Sequence, residues 1–237
     1  MNFYEQLSLY YDEVFPASKE EMTFIASCFS GCTALLDLGC GTGNKTVHLA
    51  GPGRRILGID LDAGMIEQAR KTHAFSGMDY AVMDMAKAPE LLPQASFDGA
   101  LCLGNTLVHL DQSRGIAAFL KGVAGLLRAD APFVIQIVNY DRILDQGVTR
   151  LPDLEGEHVV FERRYAADGS RLRFITSLRL KNGSGQWEND VPLYPLRKDE
   201  FAALLNDAGF AQVDWRGGFD GSALTDSSFA LLAVARP

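Results

Sequence analysis

The sequence predicts an α/β fold: a mostly parallel sheet with helices on both faces, extended by an antiparallel β insert before the last helix. Three observations predict it. Between Thr33 and Ile137 short apolar runs alternate with amphipathic stretches, the pattern of βα units around a buried parallel sheet. After Asn139 that alternation stops, and three β-rich runs follow one another across ADGS and KNGSG, whose Asp-Gly and Asn-Gly pairs suit hairpin turns. A helical pattern, KDEFAALLNDAGF, then returns ahead of two closing apolar runs.

In chain order, ALLDL (34–38) reads as a buried strand, and a helix is expected from about Asn44. RILGID (55–60) is a second strand, followed by the helix AGMIEQARKTH, where Met65, Ile66 and Ala69 share one face. YAVMD (80–84) is the third strand and FDGALCL (97–103) the fourth. GIAAFLKGVAGLLR is a helix that leads into the strand PFVIQIV (132–138). HVVFERRYA, RLRFITSLRL and QWENDVPLY make the meander, and the glycine of LLNDAGF sits just past a helix end, where a left-handed residue is wanted. AQVDW and SSFALLAVAR close the sheet, which becomes Rossmann-like and seven-stranded with right-handed crossovers. Residues 1–138 and 195–237 are expected to form the sheet-based domain, and 139–194 a β-rich insert roofing its pocket.

Composition excludes several classes. The chain has 237 residues, 47% hydrophobic and 22% charged, so it is a globular protein able to bury a large core without disulfide or metal staples. Twenty-two Lys and Arg against 30 Asp and Glu give a net charge of −8, which argues against a surface built to grip nucleic acid or anionic lipid. Neither an apolar run of membrane-spanning length nor a basic-then-apolar start is present, so a cytoplasmic protein is expected. Cys28, Cys32, Cys40 and Cys102 are too dispersed for a disulfide framework and read as reduced structural thiols, with no metal site. One charge anomaly stands out: Arg163, Arg164, Arg171, Arg173, Arg179 and Lys181 face only Glu162 and Asp168 within 159–181. Arg171, Arg173 and Arg179 share strand parity, so they are expected to line one face, most simply a solvated one.

The segment richest in chemistry is LLDLGCGTGNKTVHLA. A strand runs into Gly39, Gly41 and Gly43, which let the backbone turn sharply and approach a ligand without a Cβ in the way. The spacing is GxGxG, one residue short of the GxGxxG dinucleotide fingerprint, which disfavours a dehydrogenase. Asp60 closes the second strand some 20 residues on, where a carboxylate can accept hydrogen bonds from both hydroxyls of a ribose. Asp84 closes the third strand, placed to receive an adenine amino group, with Met85 beside it to cover the ring. Three consecutive strand ends thus offer ligand-facing groups along the edge where open α/β sheets bind ligands.

DLGCGTG, GIDLDAGMIEQAR, AVMDM and FDGALCL together resemble the motif series of class I S-adenosylmethionine-dependent methyltransferases. The resemblance implies S-adenosylmethionine as cofactor and S-adenosylhomocysteine as product. It places Gly39, Cys40 and Gly41 along the methionine portion, Asp37 near its amino group, Asp60 on the ribose, Leu61 on the adenine and Asp84 with Met85 at the adenine edge. Met65 and Leu103 belong to the same expected cofactor set. An N-terminal aromatic segment folds over the cofactor in such enzymes, which makes Tyr4, Tyr10 and Tyr11, read as preceding the first helix proper, candidates, Tyr4 foremost.

FDGALCLGNTLVHL, NYDRIL and the insert ending in LYPL resemble, more narrowly, the glycine/sarcosine N-methyltransferase-like group. That resemblance implies Asn105 at the methyl-transfer site. It also implies an arginine before the NYD segment to hold a substrate carboxylate, where this sequence has Val138. His109, four residues after Asn105, is a candidate proton acceptor sharing its side of a helical turn. Asn139, Tyr140, Tyr194 and Arg197 flank the insert and are candidate pocket walls. His48, His73 and His158 read as structural, and Lys19 as a solvated helix residue.

The expected activity is methylation of a small molecule, at nitrogen, by in-line displacement. O-methylation of a small hydroxyl or carboxyl acceptor, or a cofactor-binding regulatory subunit without catalysis, are the alternatives. The expected partner is the small-molecule acceptor. No Asn/Asp-Pro-Pro-aromatic run favours nucleic acid, nothing points to a membrane, and the sequence does not indicate an oligomeric state.

Overall fold

A computed structural model describes residues 3–110 and 112–237; Met1, Asn2 and Asp111 lie outside the described residues. Five parallel strands come first: β1 (Ala34–Leu38), β2 (Arg55–Asp60), β3 (Met78–Val82), β4 (Gly99–Cys102) and β5 (Phe133–Val138). Strands β6 (Arg150–Glu155), β7 (Val159–Asp168), β8 (Arg171–Leu180) and β9 (Gln186–Leu193) form a separate antiparallel sheet, and β10 (Gln212–Arg216) and β11 (Ala230–Arg236) return to the first. The main sheet has seven strands in the order β10-β11-β5-β4-β1-β2-β3, with β11 antiparallel to both neighbours. The expected α/β class is therefore the observed one. Helices α1 (Phe3–Val14), α2 (Lys19–Cys28), α3 (Ala63–Thr72), α4 (Ala88–Leu91), α5 (Ser113–Leu126), α6 (Tyr140–Asp145) and α7 (Lys198–Asp207) complete the chain.

The central strands are buried on both faces, and their sequences are apolar but for Asp37: every residue of ALLDL and GALC is buried. Ile116, Phe119, Leu120, Val123 and Leu126 make one buried stripe along α5, at the three-to-four spacing that lays a helix against a sheet. Burying such a side chain contributes roughly 1.5–3 kcal/mol, so this stripe is a principal support of the sheet. None of the described helices is long and apolar enough to cross a membrane.

Four local expectations are corrected. The helix expected from Asn44 is a single 3-10 turn, Thr46–Leu49, because Gly51-Pro52-Gly53 follows at once and Pro52 holds Gly51 away from helical geometry. β3 begins two residues earlier than the apolar run indicates, and Asp84 caps the turn after it, accepting from Ala86 N at 2.9 Å. Tyr4, Tyr10 and Tyr11 lie on the first helix, not before it. The second sheet has a fourth strand, β6, preceded by α6; Pro152 and a register shift between Leu151 and Leu154 mark β6 as an edge strand, the place where proline is tolerated. Arg173 and Arg179 are exposed, and Arg173 is ion-paired with Asp190, so the basic parity of β8 belongs to the solvent face.

α1 joins the two sheets. Its Phe3 and Val14, with Phe15 beyond its end, pack against Phe161, Val159 and Leu178 of the insert, while Leu7 meets Met65 of α3 in the same cluster. Polar links reinforce both sides: Asp12 accepts from Thr42, Asn44 Nδ2 donates to Phe15 O at 2.9 Å, and Glu13 accepts from His158 and Val159. Burial opposes ionisation of Glu13, but the hydrogen bonds from His158 and Val159 outweigh it and hold the carboxyl below its ordinary 4.5. Glu13 in turn raises His158 above its ordinary 6.5. The contribution of Glu13 is thus lost as pH falls through its lowered value, and that of His158 as pH rises through its raised one. Hydrogen exchange of α1 amides is expected to speed up modestly above neutral pH, beyond the intrinsic rate change, and Glu13→Gln is expected to remove that pH dependence. An identical dependence in wild type and variant contradicts the clasp.

Candidate functional site

The C-terminal ends of β1, β2 and β4 meet at one edge of the main sheet, and the loop leaving β1 turns there through three left-handed glycines: Gly39 at φ 82°, Gly41 at 55° and Gly43 at 74°. A Cβ on Gly41 would stand 3.3 Å from the Tyr11 ring, so this glycine allows α1 to come down onto the loop. Asp60, at the end of β2, ties the loop in place: its Oδ2 accepts from Gly41 N and its Oδ1 from Asp62 N, both at 2.9 Å. The Leu61 N–H also lies against the carboxylate, which still has capacity to accept from a further donor. Burial raises the pKa of Asp60 despite these bonds.

Asp37 lies one strand over and is 4% exposed. Its Oδ2 accepts a short hydrogen bond from the Thr46 hydroxyl, and burial lifts its pKa to about 7 against an ordinary 3.8, with Asp60 adding repulsion. Neither carboxylate is hydrogen-bonded to a basic side chain among the described residues. A buried and a half-buried acid beside an open-backbone loop form an acceptor set for a ligand that brings hydroxyls and a cation. A nucleoside carrying an amino-acid ammonium fits that demand, so the residues present suit S-adenosylmethionine. Tyr11 borders both Gly41 and Gly104, and burial with the nearby Asp60 and Asp37 pushes its phenol well above the ordinary value, leaving it neutral.

The other cofactor candidates surround this centre. Tyr4 accepts from Asn189 Nδ2 at 3.2 Å and lies close enough to Asp60 and Asp62 for their charge, after burial, to raise its pKa. Cys40, Met65 and Leu103 are buried, whereas Leu61 is 71% exposed at the rim; Met85 packs on the core beside Asp84. Tyr4 and Tyr11 are seven residues apart, two helical turns, so their spacing places both on the face that α1 turns toward the loop. That spacing is the signal that sets Tyr11 beside Tyr4 among the three tyrosine candidates. Thr46, the partner of Asp37, carries no comparable signal.

The residues expected at the acceptor lie in the loop that follows β4. Gly104 and Asn105 both have positive φ, 68° and 69°, and Gln136 receives both of their backbone N–H groups. Asn105 Oδ1 accepts from Val138 N at 2.9 Å and its Nδ2 donates to the Tyr140 hydroxyl at 3.0 Å. Its side chain thus fixes the loop to β5 and to α6. His109 ends the next 3-10 turn and is exposed, while partial desolvation of its ring lowers its pKa from the ordinary 6.5. A lowered value leaves its ring neutral and able to take a proton.

The remaining wall candidates are engaged elsewhere. Asn139 caps α6 and donates to Thr225 O and Ser228 O. Tyr140 is fully buried, Tyr194 donates to Glu200 at 2.8 Å, and Arg197 bridges Asp141 and Asp145. His73 bonds Thr42 O at 2.8 Å.

Residues 35–130 match the family described as a methyltransferase domain. The chain is 29% identical over 193 residues to a glycine/sarcosine/dimethylglycine N-methyltransferase of Actinopolyspora halophila, covering 80% of this chain and 33% of that protein. It is 26% identical over 211 residues to a glycine/sarcosine N-methyltransferase of Aphanothece halophytica, covering 87% and 77% respectively. The chain therefore spans a third of the first relative's length and about three quarters of the second's. Among solved structures, an S-adenosylmethionine-dependent methyltransferase from Clostridium acetobutylicum superposes with a TM-score of 0.80 at 17% identity, over 99% of both chains.

Proposed function

We propose that this chain, whose residues 35–130 are a methyltransferase domain and whose fold is that of the class I S-adenosylmethionine-dependent methyltransferases, methylates a small molecule at nitrogen. The observation that carries the reading is the pair of carboxylates, Asp37 buried and Asp60 half-buried, at adjacent strand ends beside the left-handed glycine loop. Asp60 takes the ribose hydroxyls and Asp37 faces the ammonium. The backbone of Gly39, Cys40 and Gly41 runs along the methionine portion. Asp84 and Met85 close the adenine edge, with Leu61, Met65 and Leu103 around it, and Tyr4 and Tyr11 cover the site from α1. When bound, S-adenosylmethionine supplies an electrophilic methyl group on a sulfonium.

The chain's own work is to orient the acceptor, exclude water and take a proton. Alignment of the acceptor lone pair accounts for most of the rate in a displacement of this kind. Asn105 is a positioning residue, holding the Gly104 loop and the Tyr140 hydroxyl at the acceptor end. His109, neutral near pH 7, receives the proton of an ammonium acceptor. A hydroxyl acceptor would need a stronger base, and burial raises the phenols of Tyr11 and Tyr140 instead of ionising them. The names of the two relatives, both N-methyltransferases, support nitrogen and an acceptor of amino-acid size.

Formation of S-adenosylhomocysteine on mixing the chain with S-adenosylmethionine and small amino acids or amines tests the reading. Tight cofactor binding with no turnover on any amine would overturn it in favour of a silent binding subunit. With an acceptor identified, Asn105→Ala is expected to lower kcat by about 10-fold or more at unchanged S-adenosylhomocysteine affinity. The orphaned Val138 N–H is expected to cost about 1–3 kcal/mol of stability. Undiminished methyl transfer by this variant removes Asn105 from the mechanism.

A further inference from the structure

The turn that carries Asn105 and His109 is surrounded by elements without a basic side chain. Its residues Thr106–His109 pack against β5 and β9. FVIQIV, QWENDVPL and the segment GNTLVH (104–109) contain neither lysine nor arginine, and the two acids of β9, Glu188 and Asp190, are exposed. Val138, whose backbone N–H is given to Asn105, puts an apolar side chain into the core cluster that also holds Tyr140. Partial desolvation lowers the His109 pKa, and no neighbouring charge adds to that effect. Toward the glycine loop the nearby charges are acidic: Tyr11 borders Gly104, and burial, Asp60 and Asp37 together push its phenol up.

The basic side chains of the next elements out are committed elsewhere. Arg142 follows Tyr140 by two residues, so on α6 it points away from the side on which Tyr140 meets Asn105. Its guanidinium lies 5.7 Å from the centroid of the Phe229 ring, whose π face serves as its partner, although Nη1 is buried without a hydrogen bond. Arg197 bridges Asp141 and Asp145, and Arg163 Nη2 donates to Pro152 O on the edge strand β6. Lys45, past the glycine loop, stands 2.7 Å from Glu21. A carboxylate brought to Asn105 would therefore lose hydration with no cation to replace it, and burying an unpaired charge is far more costly than burying a hydrogen-bonded neutral group. A neutral donor is present: Asn105 Nδ2 gives one hydrogen to the Tyr140 hydroxyl and keeps a second.

We propose that the methyl acceptor is an amine whose remainder is uncharged and oxygen-bearing, of the amino-alcohol type, and that the site discriminates against amino acids. The proposal rests on the small-molecule N-methyltransferase reading and sets this chain's acceptor apart from the amino acids in the names of its relatives. Asn105 Nδ2 donates to the neutral oxygen of the acceptor, and His109 takes the proton from its ammonium.

The test uses the full chain with S-adenosylmethionine and matched acceptors: glycine with ethanolamine, sarcosine with N-methylethanolamine, alanine with 2-aminopropan-1-ol, and phenylalanine with phenylalaninol. The ammonium groups within a pair are of similar acidity, so the charge of the remainder is what differs. Measured by S-adenosylhomocysteine formation, kcat/KM is expected to be about 10-fold or more higher for the alcohol than for the acid in every pair that reacts. Any acid that reacts as well as its alcohol, or better, overturns the proposal. If Arg142→Met then abolishes use of that acid alone, the carboxylate is assigned to Arg142 instead. Cofactor binding without transfer to any member of the panel strikes the N-methyltransferase reading itself, so the two failures are distinguishable.

Discussion

Asp60→Asn is expected to weaken S-adenosylhomocysteine binding by about 100-fold while the chain stays folded, since hydrogen bonds to a charged group are worth about 1.5–3 kcal/mol each. The physical reason lies in the four lone-pair positions of one carboxylate. Two are taken by Gly41 N and Asp62 N, which fix the glycine loop and the start of α3. The Leu61 N–H adds a weaker third donor, and the remaining capacity serves the ribose. An asparagine keeps one oxygen for Gly41 but presents an amide NH₂ where Asp62 N and a ribose hydroxyl need an acceptor. The charge-assisted bonds are lost even though the shape is kept. Titration calorimetry and a thermal melt check both halves of the prediction; near-wild-type affinity with an unchanged melt would remove Asp60 from the cofactor site.

Asp37→Asn is expected to make the chain more stable at pH 8 and poorer at binding S-adenosylmethionine. Burial raises Asp37 from 3.8 to about 7, so the folded chain binds a proton there that the unfolded chain releases over that interval. Folding stability contributed by this site therefore falls as pH rises from about 4 to 7. At about 1.4 kcal/mol per pKa unit the penalty at pH 8 is on the order of 4 kcal/mol, and asparagine avoids it while still accepting from Thr46. The same ionisation is what a cofactor ammonium requires. Wild-type affinity is accordingly expected to climb as pH approaches 7 and then level, whereas the variant binds about 100-fold more weakly above pH 7 with no such climb. Melting curves at pH 5 and 8, with calorimetry over the same range, check both signs. A variant less stable at pH 8, or one that retains the pH dependence, would contradict this role.

The sequence makes Asp37, Asp60 and the glycine loop legible because their signals are local: a buried strand, a turn that only glycine makes easily, and an acid at the next strand end. Seven strands follow from the same apolar rhythm. What stays hidden depends on contacts between distant segments. Asn105 is conspicuous in its motif, but its bonds to Val138 N and Tyr140 arise only when β4 and β5 lie side by side. β6 is masked by Pro152 and by the charges of an edge strand. Arg163 is lost to view in a run of six basic residues, most of which read as a solvated face, and only its parity with Val159, Phe161 and Tyr165 turns it inward. The glycine loop and the inner face of the second sheet thus come from different kinds of information: local turn chemistry for the loop, strand register for the sheet.

Methyl transfer to nitrogen is read from the position of an isotopic label. The chain is incubated with S-adenosylmethionine carrying a ¹³C-labelled methyl group and a mixture of small amino acids and amines, and the products are resolved by NMR. A new ¹³C resonance is expected in the N-methyl region, in amount equal to the S-adenosylhomocysteine formed and strongly reduced with Asp60→Asn at a cofactor concentration that does not saturate the variant. Label appearing only as an O-methyl ether or ester, or no transferred label from a chain that binds the cofactor, would contradict it.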